Sequence, residues 1–298
     1  MRILVTGVTG QVALPIARAL ACEHEVWGLA RSRRPGERER VEAAGVRPIA
    51  GDLAAGRFDE LPGDPGAVLH FAVAKSGKWD LDLAANAEGL GLLMARCRKA
   101  RALLHCSSTA VYAPAGGAPR AEDAPLGDHH RGLLPTYSIA KIAAEAMARF
   151  VARASDIPTT IARLNVPYGD GGGWPALHLA QLLADQPILV HPERPNRYNP
   201  IHEDDLVRTT PRLLEIASVP ATIVNWAGSE EVALEEWCAW LGAEVGRTPR
   251  FVESERAVPS AACDVTRMHA LLGPTRVSWR DGMRRMVAAR VPQRAAGS

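Results

Sequence analysis

The sequence predicts a doubly wound, parallel α/β fold with a smaller C-terminal lobe that is partly interwoven with it. Two observations point there. Over the first 165 residues, short apolar runs alternate with stretches of helical spacing, which is the pattern of a parallel sheet covered on both faces. After Asn165 the rhythm breaks: Pro167, Gly169, Gly171, Gly172, Gly173, Pro175, Pro187, Pro192, Pro195 and Pro200 crowd a region that reads as loops around one helix.

Residues 2–6 form an apolar run closed by Gly7, a buried strand. Residues 11–22 then carry Val12, Ile16, Ala19 and Leu20 at helical spacing. Residues 25–30 read as a second strand and 37–44 as a short charged helix. Residues 46–50, 67–72 and 102–106 repeat the strand signature, with a long helix over 81–100 between the last two. Residues 137–154 are helical and 159–164 a strand. In the second part, 174–184, 203–216, 234–245 and 279–289 read as helices and 221–226 as a strand. These patterns divide the chain into 1–165 and a lobe of 166–298, with 199–228 returning to the first part. Residues 293–298 are expected to lack order.

Composition narrows the function classes. The 298 residues suffice for a full core without staples, and apolar (47%) and charged (23%) shares are those of a soluble globular protein. A net charge of +2 argues against nucleic acid as partner, and no apolar run is long enough for a membrane span. The first seven residues hold no apolar h-region, so no signal peptide is expected. Five scattered cysteines without a CxxC pair suggest buried thiols in a reducing, cytoplasmic setting. Of 35 basic residues only Lys75, Lys78, Lys99 and Lys141 are lysines, so single arginines are weak signals and lysines sharper ones.

Four motifs carry chemistry. Thr6-Gly7-Val8-Thr9-Gly10-Gln11-Val12-Ala13 joins the first strand to the first helix. A dinucleotide pyrophosphate rests on such a helix N-terminus, which requires residues without bulk at Gly7 and Gly10. At the end of the second strand, where NAD-binding domains carry an acid, stand Ala30 and then Arg31, Arg33 and Arg34. With no carboxylate there, a 2′-phosphate is better accommodated than a free hydroxyl, which favours NADP(H) over NAD(H). Asp52, after the third strand, either meets adenine or caps a helix. Tyr137 and Lys141 lie one helical turn apart, so that the ammonium is expected to lower the phenol pKa and make Tyr137 a general acid/base. Finally, Ser107, Ser108 and Thr109 place hydroxyls at the carboxyl end of a strand, where ligands bind.

With these motifs in order, the sequence resembles an extended short-chain dehydrogenase/reductase, the group with a Rossmann sheet that includes NAD-dependent epimerases and dehydratases. Further matches are Gly51-Asp52-Leu53, Val68-Leu69-His70-Phe71-Ala72, Arg163-Leu164-Asn165-Val166-Pro167-Tyr168-Gly169, Pro200-Ile201-His202-Glu203-Asp204-Asp205-Leu206 and Val224-Asn225-Trp226-Ala227-Gly228. The resemblance implies a catalytic set of Ser108, Tyr137 and Lys141. It implies a cofactor groove of Gly7, Thr9, Gly10, Gln11 and Val12 from the glycine loop, Arg31 and Arg34, Asp52 and Leu53, then Phe71, Ala72 and Val73. Asn86, Cys106, Tyr137, Lys141, Leu164, Asn165 and Val166 complete that groove. Substrate contacts are expected from Ser108, Thr109, Tyr137 and Asn165, with Trp174 and His191 the candidates in the second lobe, and Tyr168 lies where the family's loop borders nicotinamide and substrate. A homodimer through the two long helices is expected by analogy.

Three departures shape the expected reaction. Thr109-Ala110 stands where the sugar-nucleotide dehydratases carry an Asp-Glu pair, which speaks against elimination. Arg197-Tyr198-Asn199 replaces the Arg-x-Phe segment that helps hold a nucleotide diphosphate. The acid that helps epimerases retain NAD is missing. The favoured reading is therefore an NADP-preferring oxidoreductase acting on a small carbonyl or hydroxyl compound. A nucleotide-sugar epimerase and a non-catalytic dinucleotide-binding protein are the alternatives. His129 and His130 read as a solvated loop, no metal site is expected, and the remaining tryptophans read as core.

Overall fold

A computed structural model describes residues 1–31, 34–61 and 63–291. Ser32, Arg33, Pro62 and residues 292–298 lie outside them. The central sheet has seven strands: β1 (Arg2–Thr6), β2 (Glu25–Ala30), β3 (Arg47–Ala50), β4 (Ala67–His70), β5 (Ala102–Ser108), β6 (Thr159–Leu164) and β7 (Thr222–Trp226). All neighbours are parallel, in the order β7-β6-β5-β4-β1-β2-β3. The chain thus winds outward from β1 to β3 and returns beside β1 with β4. At that reversal the loops after β1 and β4 part, leaving the crevice in which open α/β sheets bind ligands.

Helices α1 (Ala13–Ala21) and α2 (Glu37–Ala43) follow β1 and β2. Between β4 and β5 the expected single helix is divided into α3 (Trp79–Leu83), a π-helical turn (Ala84–Glu88) and α4 (Gly89–Arg96). The division accompanies tertiary contacts. The wide turn lets the Asn86 amide bond Asp82 O at 2.8 Å and Ala74 O at 3.0 Å, and Gly89 sits so close to Leu53 that a Cβ there would lie 2.6 Å from its carbonyl oxygen. α5 (Tyr137–Ser155) precedes β6. The second part contributes α6 (Trp174–Leu183), α7 (Glu203–Glu215), α8 (Leu234–Val245), α9 (Thr266–Leu272) and α10 (Trp279–Arg290).

Strand alternation sorts the core. Ile3, Val5, Leu69, Leu104 and Ala162 face α1 and α7 on one side of the sheet. Leu4, Val68, Leu103 and Ile161 face α4 and α5 on the other. A third apolar cluster gathers Leu179, Trp237, Leu241, Trp279 and Met283 from α6, α8 and α10. The proline- and glycine-rich region is less bare than its composition suggested: Pro167–Gly169, Gly172–Gly173, Ile188–Val190, Arg197–Tyr198 and Ile201–His202 are short strands. Runs of two or three residues are too short for an alternation pattern, which is why the sequence did not announce them.

Candidate active site

The glycine loop forms the floor of the crevice. Gly7 has φ +67°, and a Cβ on it would lie 2.7 Å from both Cα and N of Ala72, beyond the end of β4. Only glycine meets both demands. Gly10 N donates to Gly7 O at 2.9 Å, tightening the turn into α1. No side chain caps α1, since Val12 stands at its N-cap position. Its N-terminus thus opens on a cleft of about 550 Å³ bordered by Gly7, Gly10, Gln11 and Val12. On the other side of the loop is a cavity of about 940 Å³, bordered by Thr9, Gly10, Gln11, Arg18, Arg31, Arg34 and Arg40. Arg40 Nη2 reaches Thr9 O at 2.5 Å. A small-residue turn, an uncapped helix N-terminus and a rim of guanidiniums are the donor set a dinucleotide diphosphate requires, and the residues present fit that group.

The residues expected to form an acid–base set stand at the other end of the cleft. Ser108 ends β5 and Tyr137 and Lys141 open α5, and all three border the cleft together with Thr109, Leu164 and Asn165. A buried network locks these elements together. Glu145, one turn after Lys141, accepts Ser107 Oγ at 2.6 Å and pairs with Arg163 of β6 at 2.8 Å. Lys141, itself buried, donates to Cys106 O at 2.7 Å. The expected acidification of Tyr137 is not found. Burial raises its phenol to about 12, and the Ser108 hydroxyl, not Lys141, is the group that lowers it. Burial also lowers the pKa of Lys141 from its ordinary value.

Several residues assigned from the sequence turn elsewhere. Asn165 is buried and its amide is spent: Nδ2 donates to Thr109 Oγ1 and Ala261 O, and Oδ1 accepts from Asn199 N. It borders the cleft while bracing its wall. His191 does not border the cleft; its Nδ1 accepts from Glu193 N and its Nε2 lies 3.5 Å from Glu255. Tyr168 is buried, with its hydroxyl on Trp279 O at 3.3 Å. Asn86 holds Ala74 from behind, and Leu53 packs against Gly89, so neither faces the groove. Asp52 shares a cavity of about 330 Å³ with Arg31 and accepts from Ala54 N at 3.1 Å. Phe71, Val73, Cys106, Val166 and Trp174 do border the cleft.

The main residues missed were Lys75 and the histidine pair. Lys75 places its ammonium 5.1 Å from the centre of the Tyr137 ring. The scarcity of lysine was the available signal for it. His129 and His130 are not a solvated loop: His129 is 3% exposed, and the His130 ring lies 5.7 Å from Tyr137 and 6.4 Å from Trp174. Among the described residues no cluster of His, Cys, Asp or Glu could hold a metal ion, and no helix is long and apolar enough to cross a membrane.

Comparison with known proteins decides the family. The model of the NAD dependent epimerase/dehydratase family matches residues 3–226. The chain belongs to this family. No curated protein matches it by sequence. Among solved structures, UDP-glucuronic acid 4-epimerase from Bacillus cereus, in complex with UDP-glucuronic acid and NAD, is 22% identical with a TM-score of 0.80, over 96% of this chain and 98% of that one. A double mutant of the dTDP-glucose 4,6-dehydratase DesIV from Streptomyces venezuelae, with NAD bound, is 22% identical with a TM-score of 0.83, over 99% and 98%. UDP-glucose 4-epimerase from Thermotoga maritima is 19% identical with a TM-score of 0.81, over 96% and 97%. At these identities the likeness is one of fold. This member of the epimerase/dehydratase family shares with those enzymes a sheet, a crevice and nearly full length.

Proposed function

We propose that this protein is an NADP-preferring oxidoreductase that interconverts a carbonyl and a hydroxyl group on a small molecule, with Ser108, Tyr137 and Lys141 as its catalytic set. The observation that carries the reading is that these three side chains border one cleft with the glycine loop at its other end. In this reading residues 1–165 hold the dinucleotide and 166–298, with 199–228 returning to the sheet, shape the substrate side. When bound, the nicotinamide supplies or accepts the hydride. Ser108 and Tyr137 donate hydrogen bonds to the carbonyl oxygen, polarising its carbon. Tyr137, protonated at neutral pH, gives its proton to the oxygen as negative charge develops there. Lys141, one helical turn on, holds the Cys106 carbonyl at 2.7 Å and so fixes the end of β5 beside the phenol.

The cofactor preference rests on the rim of the larger cavity. Among the described residues neither Arg31 nor Arg34 has its guanidinium paired with a carboxylate, and Ala30 leaves no acid to receive a ribose hydroxyl. Calorimetry should show NADP⁺ binding at least about tenfold more tightly than NAD⁺, as expected for one or two charge-assisted hydrogen bonds. Arg31→Ala with Arg34→Ala should erase that margin while leaving NAD⁺ affinity unchanged. Equal binding of both cofactors by the unaltered protein would refute the preference.

Epimerisation of a nucleotide sugar is the second reading, supported by the family. It expects purified protein to carry tightly held NAD and to show no net consumption of reduced cofactor. Arg197, which stands near the position of the diphosphate-holding arginine in such enzymes, is engaged with Glu231 at 2.9 Å, and this favours the smaller substrate. A cytoplasmic homodimer joined through α4 and α5 completes the proposal. Leu92 and Phe150, 49% and 66% exposed on those helices, support the dimer.

A further inference from the structure

His129 and His130 are linked in a way that fixes both rings. His129 Nε2 lies 2.9 Å from Ser260 O, and a carbonyl can only accept, so this nitrogen carries the proton. The neutral ring then has a lone pair on Nδ1, which lies 3.2 Å from Nδ1 of His130. That contact is a hydrogen bond only if His130 is protonated at Nδ1. The consequence is an unprotonated Nε2 on His130, which has no protein partner among the described residues, although the ring borders the cleft beside Tyr137 and Trp174. The backbone of His130 is equally fixed: its N–H donates to Ser138 Oγ at 3.0 Å, and its carbonyl accepts from Leu133 N and Leu134 N.

We propose that His130 is a specificity-determining residue whose Nε2 is a permanent hydrogen-bond acceptor for a hydroxyl on the substrate carbon next to the reacting one. The inference rests on the oxidoreductase reading, and it names the substrate class as α-hydroxy carbonyl compounds and the vicinal diols they yield. The reacting oxygen sits on Ser108 and Tyr137, and the adjoining hydroxyl donates to the imidazole whose ring lies 5.7 Å from the Tyr137 ring. His130 does not act as a base here. Burial, His129 and the nearby Lys75 ammonium hold its pKa down to about 3, so it keeps its lone pair throughout the physiological range. A site with a fixed acceptor discriminates against a ligand that lacks the donor, because the acceptor is then left without water or partner.

The test uses two probe ketones that differ by one hydroxyl, 3-hydroxy-2-butanone and 2-butanone, with the full chain labelled with ¹⁵N at histidine and saturated with cofactor. Long-range ¹H–¹⁵N spectra should show His129 protonated at Nε2 and His130 at Nδ1. Adding the hydroxyketone, but not 2-butanone, should move the His130 Nε2 resonance. In turnover with NADPH, His130→Phe should lower the hydroxyketone-to-ketone ratio of kcat/KM about tenfold, the size of one lost hydrogen bond, and His130→Gln, which restores an acceptor, should recover part of it. The ratio is internal to each variant, so a poorly folded variant does not mimic the result. A proton on Nε2 of His130, or no selective shift with the hydroxyketone, overturns the proposal, as does an unchanged ratio in His130→Phe. Failure of both ketones to turn over alongside the expected spectra would instead strike at the oxidoreductase reading, leaving His130 as the acceptor.

Discussion

Tyr137 is half-buried under a lysine ammonium, faces a serine hydroxyl and is raised in pKa to about 12. In the proposed reaction, the sign of that shift decides which direction is easy. A raised pKa keeps the phenol protonated up to high pH, so the form that donates to a carbonyl oxygen is present throughout the neutral range. Carbonyl reduction should therefore be flat between about pH 6 and 9, whereas alcohol oxidation, which needs the phenolate, should rise about tenfold per pH unit over the same span. Tyr137→Phe should cost on the order of 10² to 10⁴ in turnover, abolish the pH slope and leave dinucleotide affinity nearly intact; a slope surviving in that variant would show that another group carries the proton. At this scale the sequence was half legible. The one-turn spacing of Tyr137 and Lys141 was plain, but the burial that opposes acidification is a property of packing. The histidine pair was illegible because what fixes it, Ser260 O, lies 131 positions away.

One buried carboxylate organises several elements around the site. Asp82 of α3 accepts the Thr136 hydroxyl at 2.5 Å, immediately before α5 begins, and the amides of Ser76 and Gly77 in the loop that bears Lys75. Burial alone would raise its pKa, but the hydrogen bonds from Thr136, Ser76 and Gly77 outweigh it, and the net direction is down. A carboxyl depressed in the folded state adds stability that is present above its unfolded value of about 3.9 and is lost as pH falls through the folded pKa. Asp82→Asn, which turns an NH₂ toward donors, should destabilise the protein by on the order of 1–3 kcal/mol at neutral pH. The gap to the unaltered protein should close below about pH 4 in denaturant titrations; a gap independent of pH would mean that the charge is not what matters. The strands and long helices were readable from spacing alone. The π-helical turn was not, since it exists to let Asn86 meet Ala74, a tertiary demand without a local signature.

For the whole molecule, the strand-helix rhythm up to Leu164 revealed a parallel sheet, and the strand order supplied the crevice between β1 and β4. The rhythm gave no access to the short strands after Val166 or to α9, whose few residues are held by partners remote in sequence. The pairing of copies is open to direct measurement. Sedimentation equilibrium should give twice the 32.0 kDa of the single chain, and Phe150→Glu, placing a charge on the exposed face of α5, should return it to one. A protein that sediments as a monomer before substitution would end the dimer proposal. Asn165 has a consequence in time as well as in space. Its amide ties the turn after β5 to Asn199 and to Ala261, so the wall of the cleft is finished only when about the last eighth of the chain begins to arrive. During vectorial synthesis, when N-terminal portions fold first, the glycine-loop half can organise early. A nascent polypeptide would then shape its glycine turn well before the opposite wall of the cleft exists.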